Sequence, residues 1–167
     1  NKSIGQSMES ILEKNEDLIS SVVINLSSKD NTFLTSSVSA SNNVIKEKIY
    51  TQMLTNSNDV NNNITILADI ITKGDAKTVN LIINTIQEID ETTSDTNIAL
   101  KVLSSVAKTT TNNEIKLETE QNKLVNELIE TAVLSANGSE DGALLLANVI
   151  SNSDLETNGE ILNYISN

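Results

Sequence analysis

Carboxylates are the side chains most able to do chemistry together in this chain. They gather as Glu88, Asp90 and Glu91, as Glu114, Glu118 and Glu120, and as Glu127 and Glu130. Two acids a few ångströms apart in a cleft carry out glycosidase-type acid and base work, usually with aromatic side chains as sugar platforms. Phe33, Tyr50 and Tyr164 are the only aromatics, so those platforms are missing. The clusters read instead as solvated helix faces and caps. His and Cys are both absent, which removes the commonest general base and the thiolate nucleophile. Ser20-Ser21, Ser36-Ser37 and Ser104-Ser105 therefore have no base to activate them and read as surface or small packing positions. Glycine-rich phosphate loops and the GxSxG elbow do not occur. No catalytic or cofactor-binding residue is assigned, and the expectation is a protein that is not an enzyme.

One stretch has a partial metal-ligand pattern. In NGSEDGALLLAN, residues 137–148, Asn137, Ser139 and Asp141 occupy the first, third and fifth places of a calcium loop, with Gly142 in the sixth. The twelfth place needs a bidentate acid and holds Asn148, so the ligand set is incomplete. The alternative is a plain connection between two helices, for which Asn and Gly are the usual residues.

The elements that would position these groups follow from composition and spacing. Leu, Ile, Val and Phe make up 50 of 167 residues, well above the roughly 20% below which a strongly charged chain stays disordered. A core is available, and it must be aliphatic. Net charge is −12, every base is Lys, and Pro is absent. Phosphates and anionic lipid surfaces both call for a basic face, so nucleic acid and membrane surfaces are disfavoured partners. No apolar run approaches the ~18 residues needed to span a bilayer, so membrane insertion is not expected. The chain starts at Asn1 without an initiator Met, compatible with a segment of something longer.

Apolar residues recur at steps of three and four nearly everywhere, which is the period of helix rather than strand. Ile4, Met8, Ile11, Leu18 or Ile19, Val22 and Leu26 mark a first long helix, and Leu34, Val38, Val44 or Ile45, Ile49 and Met53 a second. Gly74 ends a helix that holds Leu67 and Ile71. Asp75 caps the next, whose inner face is Val79, Ile82, Ile83, Ile86 and Ile89. A further helix follows with Ile98, Val102, Leu103 and Val106. A longer one is expected over 114–136, with its first half exposed or frayed. ALLLANVI, residues 143–150, is apolar nearly all round and should be the most buried helix. Asp154 then caps a last helix with Ile161, Leu162 and Ile165 turned inward.

The helix pair also repeats. LADIITKGDAKTVNLIINTI, residues 67–86, matches LANVISNSDLETNGEILNYI, residues 146–165, at eight of twenty positions. Breaks roughly 17 residues apart correspond to one short helix plus a loop, and two such units make a hairpin of the size used by α-solenoids. The expected fold class is all-α, with antiparallel helical hairpins in an irregular α-solenoid-like repeat. A compact helical bundle is the alternative. Residues 1–56 should form a long helical hairpin and residues 57–167 shorter repeats, continuous with it in one domain. Such an object is expected to be a non-catalytic structural or protein-interaction module of a bacterial cell-surface or secreted protein: an adhesin segment, spacer or assembly subunit. The partner would be another protein or a second copy of the chain. The alternatives are a subunit of a homopolymeric extracellular filament and a periplasmic helical sensor domain.

Overall fold

A computed structural model describes residues 43–55, 59–92, 97–136, 140–152 and 155–166. They form seven helices: α1 (Asn43–Thr55), α2 (Val60–Lys73), α3 (Ala76–Thr92), α4 (Ile98–Asn112), α5 (Thr119–Ala136), α6 (Glu140–Asn152) and α7 (Leu155–Ser166). No strand occurs among the described residues, and the fold is all-α. The helix expected over residues 4–26 lies outside them, and the second long helix is described from Asn43 onward.

Two compact units divide between Ile66 and Leu67, within α2. In the first, α1 buries Ile45, Ile49, Tyr50, Met53 and Leu54, at the spacing of one helix face. Asp59 caps α2 by accepting the Asn62 amide, 3.1 Å. Asn63 is fully buried and donates from Nδ2 to the Met53 carbonyl, 3.0 Å. That bond satisfies a carbonyl which the end of α1 leaves without an intrahelical donor.

In the second unit, helices pack mainly on their first and second neighbours along the chain. α3 lies against α4 and α5, α4 against α5 and α6, α5 against α6 and α7, and α6 against α7. Such neighbour-on-neighbour packing suits a helical repeat or a compact bundle, because each helix buries its face on the next. The core is aliphatic: Val79, Ile82, Ile83 and Ile86 of α3, Leu100, Val102 and Leu103 of α4, and Leu128, Ile129 and Ala132 of α5 are sealed from solvent. Each large aliphatic side chain so placed stabilises the fold by about 1.5–3 kcal/mol relative to exposure.

The turn between α2 and α3 shows how such a unit is made. Gly74 donates its amide to the Ile70 carbonyl, and a Cβ there would stand 2.5 Å from that same oxygen. Asp75 caps α3 by accepting the Thr78 amide, 2.8 Å. Gln121, in the first turn of α5, donates from Nε2 to the carbonyls of Gly74, 3.0 Å, and Thr72, 3.4 Å, closing the end of α2. Its Oε1 accepts the Glu118 amide, so one side chain serves two helix ends.

Asn, Ser and Thr are poor helix formers, yet 61 of them are spread through this helical chain. Many hydroxyls turn back onto their own helix. Thr51, Thr85, Thr110, Thr131 and Ser151 each donate to the carbonyl four residues earlier. Thr85 can thus be buried without an unsatisfied donor.

Three expectations are corrected. The helix expected over 114–136 starts at Thr119, and α4 ends instead in a Schellman turn. There Glu114 adopts φ 51°, and the amides of Glu114 and Ile115 donate to the carbonyls of Thr111 and Thr110. ALLLANVI is not the most buried helix. Over residues 140–151, α6 seals only Gly142 and Val149 from solvent, while Leu144 is 60% exposed. In α7, Ile161 is buried as expected, but Leu162 and Ile165 are 57% and 50% exposed. The physical reason is position: no described helix follows α7 to cover the outer sides of this last pair.

Candidate functional site

The acidic clusters stay largely apart, although Asp90 and Glu130 line one open groove. Glu88, Glu114, Glu118, Glu120 and Glu130 are exposed, and Glu127 is half-buried. No group of three or more acids is arranged to hold a metal among the described residues. Asp141 lies in the first turn of α6, while Asn137 and Ser139 fall outside the described residues. Only residues 137–139 separate α5 from α6, against the twelve of a calcium loop. Gly142 serves packing instead: a Cβ there would come within 2.8 Å of the Ala136 Cα. Ser104 and Ser105 lie half-buried within α4, and the other two serine pairs fall outside the described residues.

Unlike Asp59 and Asp75, which cap the helices they precede, Asp90 acts across helices. It sits in the last turn of α3, and its Oδ2 accepts from Ser135 Oγ on α5, 2.8 Å, and from the Ala99 amide at the start of α4, 3.3 Å. Asn97, at the N-cap position of α4, has a left-handed backbone, φ 46° and ψ 38°, and makes no side-chain cap. Asp90 replaces that cap from a neighbouring helix and places negative charge where the α4 dipole favours it. One turn earlier, Gln87 Nε2 donates to Thr131 Oγ1, 3.1 Å, and Thr131 donates to the Glu127 carbonyl. A polar seam therefore runs between α3 and α5. Sequence reading placed Asp90 in an acidic cluster and missed Gln87, Thr131 and Ser135, because partners 44 and 45 residues apart leave no local signal.

Beside this seam an open groove of about 530 Å³ is lined by Gln87, Asp90, Glu130, Thr131, Leu134 and Ser135. Asp90 Oδ1 is buried there without a donor. A serine hydroxyl donating to a carboxylate, with no imidazole in the chain, lacks the base that turns serine into a nucleophile. The pair instead holds three helices in register.

A second acidic neighbourhood surrounds Tyr164 on α7. Burial, and then the charges of Glu130, Glu160 and Glu127, hold its phenol above the ordinary value of 10.0. A phenol kept neutral in this way is a hydrogen-bonding surface group and no acid–base catalyst near neutral pH.

The remaining feature is apolar. Leu144 on α6 and Leu162 and Ile165 on α7 stand out in solvent, on a helix pair that the sequence reads as buried. No described helix is long and apolar enough to cross a membrane. No protein-family model, curated protein or solved structure matches the chain.

Proposed function

We propose that the chain is a non-catalytic protein-interaction module, built from helical repeats, of a bacterial cell-surface or secreted protein. The observation that carries this reading is the bare apolar side of α6 and α7, where Leu144, Leu162 and Ile165 are all at least half exposed. Large exposed aliphatic groups on a helix pair mark surfaces that another protein covers. The non-catalytic part is supported by the acids themselves: the specific bonds of Asp90 go to a helix end and a serine, and no group of three or more among the described residues is arranged to hold a metal. The acidic, Asn-rich composition, with Asn far outnumbering Lys, supports the extracellular placement.

The test compares the wild-type chain with a Leu144→Ser/Leu162→Ser/Ile165→Ser variant, which keeps every buried residue. Both are immobilised and exposed to cell-surface and secreted protein fractions of the source, and both are run in sedimentation equilibrium. The wild type is expected to retain a protein partner, or to associate with itself, in a way the variant does not, with equal helicity and melting temperature. Identical retention and monomeric behaviour of both proteins would refute the reading.

A further inference from the structure

We infer that the bare face of α6 and α7 receives a helix of a partner protein bearing an aliphatic stripe, with Lys or Arg beside it and no acid. This rests on the interaction reading above and specifies the partner's chemistry. Three observations lead to it.

The first is the internal repeat, now compared by burial. In the first copy Ala68, Thr72, Ile83 and Ile86 are all buried. Their equivalents 79 positions later, Ala147, Ser151, Leu162 and Ile165, are all exposed. Ile82 and its equivalent Ile161 are buried alike. The same apolar pattern is thus covered on one side in both copies and on the other side only in the first. On α6, Leu144, Ala147 and Ser151 fall at steps of three and four, so they line a single stripe of that helix.

The second observation is what packs on the first copy. α3, the helix that carries Ile83 and Ile86, lies against α5 and α4, and of these two α4 has no acid. It is an aliphatic helix whose only charges are Lys101 and Lys108. The chain itself therefore displays the type of helix that fits this repeated face.

The third is charge. Residues 124–167 contain Glu127, Glu130, Glu140, Asp141, Asp154, Glu156 and Glu160 and not one Lys, all eleven lysines lying earlier. A second copy docked through the same face would bring acids against acids, Glu160 of α7 among them. Like charges brought together at an interface oppose association, whereas a basic rim is attracted and steered.

The probe is a fluorescent peptide with the sequence of residues 98–112, held helical by a staple on its polar side, together with a twin carrying Glu in place of both lysines. Binding to the full chain is followed by anisotropy at low and moderate salt. The lysine peptide is expected to bind, the glutamate twin about tenfold or more weakly, and added salt to weaken binding. Leu162→Ser/Ile165→Ser should abolish it. Equal binding of the two peptides, binding that survives the double variant, or no binding at all overturns the inference. Absence of peptide binding in a chain that still captures a partner or self-associates through Leu162 and Ile165 leaves the interaction reading standing. Absence of all three sinks both.

Discussion

Replacing Asp90 by Ala should loosen three helices at once, and the size of the effect can be worked from its contacts. The substitution removes the acceptor for Ser135 Oγ at 2.8 Å and for the Ala99 amide at 3.3 Å. A hydrogen bond to a charged acceptor contributes about 1.5–3 kcal/mol, and a helix cap about 1 kcal/mol, less at the longer distance. Both sites are only partly buried, which places each bond toward the low end. Removing Oδ1, which is buried without a donor, returns part of the loss. The net destabilisation is about 2 kcal/mol. With a urea slope of about 2 kcal/mol/M, the unfolding midpoint falls by about 1 M at unchanged slope. Asp90→Asn keeps an acceptor and loses only the charge at the α4 N-terminus, so it should cost about 0.5–1 kcal/mol. A double-mutant cycle with Ser135→Ala should return a coupling of about 1 kcal/mol. Hydrogen exchange at the Ala99 amide gives the local readout, with protection lost in Asp90→Ala and largely kept in Asp90→Asn. A stability within about 0.5 kcal/mol of wild type, or a coupling near zero, would show that Asp90 does not fasten the helices together.

Other expectations follow from the same structure. Ile83→Ala should cost about 2–5 kcal/mol in urea unfolding, while Leu162→Ala, its repeat equivalent, should stay within about 0.5 kcal/mol. Equal costs would remove the contrast between a covered and a bare face. Glu114→Gly should stabilise by roughly 0.5 kcal/mol, because relief of a left-handed backbone, worth about 1–2 kcal/mol, outweighs the added freedom of glycine in the unfolded chain; a loss of stability would contradict the left-handed turn. The raised phenol of Tyr164 makes stability complete below the unfolded value near 10 and declining as pH rises through the folded one. Tyr164→Phe should therefore narrow the fall in urea midpoint between pH 8 and about pH 11, and an unchanged fall would show that Tyr164 ionises as freely folded as unfolded.

Much of the helical architecture was legible because its cause is local. Steps of three and four in Val79, Ile82, Ile83, Ile86 and Ile89 dictate which side of α3 faces inward, and all five are buried. Asp75 reads as a cap because its side chain needs only the amide three residues on, 2.8 Å away. The seam was illegible for the opposite reason. Gln87 meets Thr131, Asp90 meets Ser135 and Gln121 meets Gly74 across 44 to 47 residues, and hydrophilic residues at those positions look like any exposed ones.

The exposed end of the unit was misread in an instructive way. Periodicity states which residues share a side of a helix, and it placed Ile161, Leu162 and Ile165 in the core. Burial depends also on whether a neighbour stands opposite. The amino-acid order alone thus determined the all-helical character, the main turns and the duplicated pattern, since backbone preference and side-chain spacing act within a few residues. Only the tertiary structure decided that one copy of the pattern is enclosed and the other is open, because enclosure requires a second surface, and no stretch of chain encodes its own neighbour.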